Sequence, residues 1–270
     1  MKTGTYSTAN SVSTTAGRLL ARNRTWFYLE YLHIVFRSRA LAQKGLYNRE
    51  AWAKSSADVR ALYERRGGQL TVEGLDQLHK LNGPVVFVAN HMSTAETQIL
   101  PGLIQPVCDV TFVVKDSLMK GPVFGPIMRA VDGIGVTQKD ARADFETVMK
   151  EGCERLAKGM SVVIFPEGTR NRIFQPSQFN SLGTKLARKA GVCIVPIALK
   201  TDFWGNGKVL RTFGPLDCRK QAHFKFGAPV MPEGNGKEAQ DYALQFIQRN
   251  VQMWDKKLSA PVEIPGFAAT

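Results

Sequence analysis

Two short segments of the chain carry side chains that can do chemistry. Residues 90–96 read Asn-His-Met-Ser-Thr-Ala-Glu and residues 165–170 read Phe-Pro-Glu-Gly-Thr-Arg. Each follows an apolar run, residues 85–89 and 162–164, which predicts a buried strand, and open α/β sheets place ligand crevices at the carboxyl ends of strands. A neutral histidine beside a carboxylate can take a proton from a hydroxyl group. A carboxylate, a glycine and an arginine suit a polyol that carries a phosphate.

Both segments also permit a purely structural interpretation. Ser93 and Glu96 have the Ser-x-x-Glu spacing of a capping box, in which each side chain bonds the backbone amide of the other residue. A salt bridge from Glu167 to Arg170 could close the end of the second strand. A single histidine after a strand is more often structural than catalytic. The residues alone leave these alternatives open.

The two segments resemble the first and third motifs of the glycerolipid acyltransferase superfamily, which includes the lysophosphatidic acid and glycerol-3-phosphate acyltransferases. The first motif of that family is Asn-His-x-Ser-x-x-Asp, and Glu96 stands here in place of its aspartate. The whole of residues 165–170 matches the third motif, and Val-Pro-Ile-Ala-Leu at 195–199 is similar to the fourth. Three such segments in the right order are a strong signal, and the resemblance covers roughly residues 65 to 230.

The resemblance implies a role for each residue of the two motifs. His91 would be the general base, and Glu96 would orient its ring and stabilise the imidazolium. His91 must then lie in the turn before a helix, with Glu96 in the first turn, because residues five apart on a regular helix diverge by about 140°. Glu167 would bind a glycerol hydroxyl of the acceptor and Arg170 its phosphate. Gly168 and Thr169 complete the substrate-binding turn, and neither a metal nor a cofactor is implied.

The second motif of the family fits less well. Relatives have Gly-x-x-Phe-Ile-x-Arg, whose arginine contacts the acceptor phosphate, whereas residues 133–139 read Gly-Ile-Gly-Val-Thr-Gln-Lys. Gln138 is interpreted as the counterpart of the arginine, although an ungapped count from Gly133 puts Lys139 there, and Lys139 or Arg142 could supply the charge from a neighbouring position. Lys115, at the end of a predicted strand, could add positive charge over the phosphate, although a solvated lysine explains it equally well.

The resemblance predicts an O-acyltransferase. The donor would be an acyl thioester, either acyl-CoA or acyl-acyl carrier protein (ACP), and the acceptor a lysophospholipid, most simply 1-acyl-glycerol 3-phosphate, which would yield phosphatidic acid. Glycerol 3-phosphate or another lysolipid, such as an amino-acid-linked one, is the alternative acceptor. A catalytically silent, basic, lipid-binding module is the alternative of another class. A serine hydrolase or a zincin is disfavoured because the chain has neither GxSxG nor HExxH.

Charge and aromatic residues at the N-terminal end predict contact with an anionic membrane surface rather than with nucleic acid. Residues 1–49 hold eight Lys and Arg against one Glu, so they contribute +7 of the formal net charge of +13. Within them Trp26, Phe27 and Phe36 belong to an aromatic-rich stretch with basic flanks, the pattern of an interfacial helix. Glu30 and His33 interrupt this stretch, so it is too short to cross a bilayer, which takes about 20 apolar residues. The alternative is an amphipathic helix docked on the core of the protein itself.

Strand and helix patterns alternate along the rest of the chain. They predict an α/β fold with a mixed, largely parallel sheet and helices on both faces. The predicted parts are a flexible tail (1–17), a helical membrane-anchoring segment (18–64), the acyltransferase domain (65–257) and an extended C-terminal tail (258–270). Two late segments, 209–213 and 223–226, are predicted to be edge strands.

The cellular location follows from what the sequence lacks. No secretory signal pattern is seen, and the four cysteines have no CxxC spacing. We therefore expect a peripheral or monotopic protein on the cytoplasmic face of a membrane.

Overall fold

The computed structural model describes residues 4–8, 24–208 and 210–259. It confirms an α/β fold built on one mixed, mostly parallel sheet of eight strands. The strands are β1 (Thr5–Ser7), β2 (Leu70–Glu73), β3 (Val86–Ala89), β4 (Val110–Lys115), β5 (Ile134–Val136), β6 (Ser161–Ile164), β7 (Ile194–Lys200) and β8 (Ala222–Phe226). The helices are α1 (Arg24–Gln43), α2 (Arg49–Arg65), α3 (Leu75–Leu78), α4 (Ala95–Ile104), α5 (Asp116–Lys120), α6 (Phe124–Ala130), α7 (Ala141–Ala157), α8 (Leu182–Ala190) and α9 (Lys237–Ser259).

The strand order explains how the two motifs meet. The sheet runs β1-β2-β8-β7-β3-β6-β4-β5, so β3 lies between β7 and β6 and is parallel to both. Val88 of β3 is level with Ile164 of β6. The segment after each strand therefore emerges at the same edge and the same height. Residues far apart in sequence face one another there, as expected for a doubly covered parallel sheet.

Helices cover both faces of the sheet, as predicted. The central strand β3 sends Phe87 to one apolar cluster, with residues of α1, α2, α4 and α6. It sends Val86 and Val88 to the other, with residues of α7, α8 and α9. Because both faces of the parallel strands are buried, their sequences are continuously apolar instead of alternating.

Helix α1 belongs to the first of these clusters. Phe27, Tyr31 and Val35 are buried on one side of the helix, and Tyr31 packs edge-on against Trp204 with ring centroids 5.0 Å apart. On the other side Trp26 and Phe36 are 54% and 49% exposed. One face of α1 is therefore docked on the core of the protein, as the alternative interpretation expected. Phe27 was expected at the lipid surface and lies in the core. No described helix is long and apolar enough to cross a membrane.

Four local predictions were wrong, three of them near the chain ends and at strand β8. Residues 5–7 of the expected flexible tail form β1, which pairs antiparallel with β2; residues 1–3 and 9–17 lie outside the described part of the chain. Strand β8 is not at an edge, because it is hydrogen-bonded to β2 on one side and β7 on the other. Helix α9 continues to Ser259, beyond the start of the predicted C-terminal tail, and residues 260–270 are not described.

The predicted strand at 209–213 is a turn in its described part, residues 210–213. Phe213 N–H donates to the Leu210 carbonyl at 2.9 Å, and Gly207 N–H donates to the Arg211 carbonyl at 3.1 Å. A Cβ at Gly214 would lie 1.9 Å from the Gly205 carbonyl oxygen, so the two backbones touch where the segment folds back. This close approach requires glycine at position 214, and a pattern of apolar residues does not reveal it.

Candidate active site

The centre of the site is the carboxylate of Glu96, which is fully buried in the first turn of α4. Its Oε2 lies 2.5 Å from Nδ1 of His91. Its Oε1 accepts from the amides of Met92 and Ser93, both at 2.9 Å, and from the hydroxyl of Thr201. Four donors thus converge on two oxygens. A buried carboxylate with this many donors is satisfied in its ionised form.

This arrangement fixes the proton on the His91 ring. An ionised carboxylate can only accept, so Nδ1 must be the ring nitrogen that donates. In the neutral imidazole Nε2 then carries the free lone pair and can take a proton. His91 is 13% exposed, and its ring stacks on Phe165 at a centroid distance of 4.1 Å. The ring is therefore held in one tautomer and one plane.

Glu96 is both the orienting residue and a helix cap, so the two alternatives for it are not exclusive. Oε1 caps by accepting from the Ser93 amide, while Oε2 faces the histidine. In a regular capping box the Ser93 hydroxyl would accept from the amide of residue 96. Here it accepts from the Ala95 amide at 3.1 Å. His91 lies before the helix and Glu96 in its first turn, as the geometry of the pair requires.

Glu167 of the third motif (residues 165–170) and the following Asn171 hold the backbone of His91. Its amide donates to Oε2 of Glu167 at 2.9 Å, and its carbonyl accepts from the amide of Asn171 at 2.7 Å. The other oxygen of Glu167 accepts from the Asn171 side chain at 3.2 Å. Burial raises the pKa of Glu167, and these hydrogen bonds oppose the rise. Glu167 thus holds the backbone of His91 and does not line the cavity described below, and its expected contact with the acceptor stays a prediction.

The remaining predicted residues divide into two groups. Lys115, Gln138, Gly168, Thr169 and Arg170 line one cavity beside His91, whereas the exposed Lys139 does not. Gly168 has φ 65°, a conformation that favours glycine, and its carbonyl accepts from the Gln138 side chain at 2.5 Å. Gln138 therefore shapes the turn that carries Arg170. No described carboxylate forms an ion pair with Arg170, so the salt bridge to Glu167 that was the structural alternative is absent.

The cavity has a volume of about 640 Å³ and two chemically distinct parts. One part is apolar and the other is basic, and Asp144 is the acidic side chain among the lining residues. The apolar part is lined by Phe112, Val114, Leu118, Phe124, Met128 and Val131. The basic part is lined by Lys115, Arg170, Lys185 and Arg211. A ligand with a hydrocarbon chain and an anionic group matches this division.

Four residues of the site were missed by the sequence reasoning. Thr201 directly follows β7 and hydrogen-bonds both Glu96 and Ser93. Tyr31, Lys185 and Arg211 reach the cavity from α1, α8 and the turn at 210–213. The position of Thr201 just past the fourth motif was an available signal, because β7 was expected in the same sheet. Nothing local marks the other three, which depend on tertiary packing.

The site combines a histidine hydrogen-bonded to a buried carboxylate, at the carboxyl edge of an open sheet, with a cavity of apolar and basic side chains, and this arrangement is compatible with a transferase for acyl groups. Residues 69–200 match the family model described as Acyltransferase. A 1-acyl-sn-glycerol-3-phosphate acyltransferase of Pseudomonas aeruginosa is 35% identical over 73% of this chain and 71% of its own. The chain belongs to the glycerolipid acyltransferase superfamily, of the PlsC type, and is an O-acyltransferase.

Two further similarities are informative. The crystal structure of PlsC, the 1-acyl-sn-glycerophosphate acyltransferase of Thermotoga maritima, superposes with a TM-score of 0.64 at 22% identity and covers 93% of this chain and 99% of its own, which shows the shared fold. A lyso-ornithine lipid O-acyltransferase of Rhizobium meliloti is 36% identical over 32% of this chain and 28% of its own.

Replacement of Glu96 by glutamine tests the clamp. The introduced amide oxygen can still accept from the Met92 and Ser93 amides, but the NH₂ group then faces Nδ1 of His91 and forces that nitrogen to accept. The ring proton moves to Nε2, where it blocks the base. We expect kcat to fall by about 10²-fold or more with a nearly unchanged free energy of unfolding. Steady-state kinetics and chemical denaturation measure both quantities.

Glu50→Gln is the matched control, because Glu50 is an exposed glutamate in the first turn of α2. It should keep wild-type turnover. Wild-type turnover in Glu96→Gln as well would show that Glu96 is only a helix cap.

Proposed function

We propose that the protein transfers a fatty acyl group from an acyl thioester, acyl-CoA or acyl-ACP, to the hydroxyl of 1-acyl-glycerol 3-phosphate to form phosphatidic acid. The observation that carries the proposal is the His91–Glu96 pair at 2.5 Å, with Nε2 left as the free base. The activity for which the Pseudomonas aeruginosa relative is named supports the choice of acceptor. The clamped histidine argues against the catalytically silent alternative.

In this mechanism His91 moves one proton twice. Nε2 takes the proton of the acceptor hydroxyl as its oxygen attacks the thioester carbonyl carbon, and Glu96 stabilises the resulting imidazolium. The tetrahedral intermediate then collapses, the C–S bond breaks, and the departing sulfur takes the proton from Nε2. The ester and a free thiol are the products, and His91 returns to its starting state.

The two parts of the cavity suggest how the substrates lie. The acyl chain would occupy the apolar part between β4, α5 and α6, whose side chains leave no hydrogen-bonding demands on a hydrocarbon. Arg170 would bind the acceptor phosphate beside His91. Lys115 and Lys185 would attract the anionic phosphopantetheine arm that both candidate carriers share.

Membrane contact is proposed through the exposed side of α1. Trp26 and Phe36, with Leu29 at 51% exposure, present apolar area away from the core. The opposite side of the same helix lines the cavity through Tyr31, so bound lipid and cavity would be close together. Some basic groups of the region are already paired: Arg37 binds Asp58, and Arg65 binds Glu30. We propose a peripheral protein on the cytoplasmic face of the membrane.

A second acceptor class is favoured by one specific observation. In the segment that corresponds to the second family motif, the neutral Gln138 lines the cavity and the exposed Lys139 does not, and part of the chain resembles a lyso-ornithine lipid O-acyltransferase. An amino-acid-linked lysolipid offers a carboxylate in place of the phosphate. Comparison of kcat/KM for the two acceptors decides between them.

Replacement of His91 by alanine tests the proposed reaction. With palmitoyl thioester and 1-acyl-glycerol 3-phosphate, thiol release should fall by at least about 10²- to 10⁴-fold, because the proton acceptor is lost. His91 lies in a turn, so the circular dichroism spectrum should be that of the wild type. His79→Ala, at the C-terminus of α3, is the matched control and should keep full activity. Retention of more than about a tenth of turnover by a folded His91→Ala protein would contradict the assignment.

Replacement of Arg170 by alanine tests phosphate binding. Burial lowers the pKa of Arg170, Arg211 lowers it further and Glu96 opposes this, yet a guanidinium remains charged at neutral pH. Loss of its charged hydrogen bonds should raise the KM for the phosphate-bearing acceptor by about 10- to 100-fold, with a much smaller effect on the thioester. Arg172→Ala, an exposed neighbour that does not line the cavity, should leave both KM values unchanged. An equal rise for the thioester would assign Arg170 to the donor.

Replacement of Trp26 and Phe36 by alanine tests the membrane surface. Partition to anionic vesicles, measured by flotation, should weaken by about tenfold or more because two interfacial rings are lost. The free energy of unfolding should change by less than about 0.5 kcal/mol per site, as both side chains are half exposed. Met253→Ala, on the opposite face of the sheet, should bind vesicles like the wild type. Unchanged flotation of the double variant would rule out this face of α1.

A further inference from the structure

A second arginine, Arg211, lies beside Arg170 on the cavity wall. Its Nη1 donates to the hydroxyl oxygen of Thr169 at 2.8 Å, so it is held against the turn that carries Arg170. Its own turn is anchored from two sides: the Trp204 indole donates to the Thr212 carbonyl at 2.7 Å, and the Tyr28 hydroxyl donates to the Gly214 carbonyl at 2.6 Å. The fold therefore anchors the backbone of this turn, and the hydrogen bond to Thr169 holds the exposed Arg211 side chain at the cavity.

The two guanidinium groups face the cavity without a direct ion pair, although Glu96 acts on Arg170 through space. Among the described residues, no carboxylate forms an ion pair with Arg170 or Arg211. Each charge lies within electrostatic reach of the other, since Arg211 contributes to the lowered pKa of Arg170. Two like charges on one partly buried wall repel each other unless an anion lies between them.

A third polar group reaches the same cavity. Tyr31 is fully buried, and in the described part of the structure its hydroxyl has no hydrogen-bond partner. A buried hydroxyl without a partner costs about 1 to 3 kcal/mol. Tyr31 lines the cavity and interacts electrostatically with Arg170. Its O–H is therefore a donor available to an anion bound by the arginines.

We propose that Arg170, Arg211 and the hydroxyl of Tyr31 together bind the phosphate monoester of the acceptor. Gln138 is neutral and brings no positive charge to the cavity. Arg211 supplies that charge from a separate part of the chain. A phosphate monoester has three peripheral oxygens, enough for two guanidinium forks and one hydroxyl donor. Gln138 meanwhile supports the Gly168 carbonyl, so its side chain stabilises the turn and leaves anion binding to the arginines. This inference rests on the proposed phosphate-bearing acceptor.

Kinetics of Arg211→Ala provide the first test. We expect the KM for the acceptor 1-acyl-glycerol 3-phosphate to rise by about 10- to 100-fold, the cost of a charged hydrogen bond, while kcat and the KM for the thioester change by less than about threefold. Tyr31→Phe should raise the acceptor KM by about tenfold, since it removes one hydrogen bond from a neutral hydroxyl to the charged phosphate. Lys208→Ala removes an equal charge from the same loop without touching the cavity, and should behave as the wild type. Equal acceptor KM values in Arg211→Ala and Lys208→Ala would overturn the proposal.

A binding measurement separates this inference from the overall function. Glycerol 3-phosphate should raise the thermal midpoint of the wild-type protein and of Lys208→Ala, whereas glycerol should not, and Arg211→Ala should lose the effect. This result supports the site even if no acyl transfer is detected with the acceptors tried. The wild-type protein could transfer acyl groups to 1-acyl-glycerol 3-phosphate while Arg211→Ala shows no increase in the KM for that acceptor. This result would agree with the proposed function and would overturn the proposed phosphate site. A larger loss with a carboxylate-bearing, amino-acid-linked lysolipid than with the phosphate would also overturn it.

Discussion

The site depends on one buried carboxylate, that of Glu96. A charge taken out of water is stable in a protein only when every lone pair finds a donor. Here two backbone amides, a threonine hydroxyl and the His91 ring provide those donors. The same interaction that satisfies the charge selects the tautomer of the histidine. The hydrogen bonds that stabilise the buried charge therefore also orient the ring of the proposed general base.

The sheet explains why these donors meet. Thr201 follows β7, His91 follows β3 and Glu167 follows β6, and these are three adjacent parallel strands. Their carboxyl ends must lie side by side at one edge. Asn90 strengthens this edge, because its buried side chain donates to the Leu199 carbonyl and accepts from the Leu199 amide, both at 2.9 Å. A lost contact in any of the three segments would move the histidine.

The parts of this arrangement that sequence could predict are those with a local signature. Continuous apolar runs identified the parallel strands, and the motif residues His91, Glu96 and Arg170 were identified before their geometry was known. Glu167 was expected to bind the acceptor, whereas its described hydrogen bonds are with His91 and Asn171. A sequence motif gives the type of a residue but not its hydrogen-bond partners. Tyr31 and Arg211 carry no signature, since tertiary packing of α1 against Trp204 and against Phe213 of the 210–213 turn brings these elements together at the cavity. The turn itself was mistaken for a strand because backbone contact at glycine is invisible to apolar periodicity.

The most direct test of this account is the tautomer of His91 in the folded protein, read from the ¹⁵N and ¹H resonances of its imidazole ring. The chain has four histidines, so the signal is assigned by its disappearance in His91→Ala. The account predicts a neutral ring with the proton on Nδ1, strongly deshielded by Glu96, and an unprotonated Nε2. A wild-type ring with its proton on Nε2 would contradict it, because that nitrogen could not then accept the proton of a substrate.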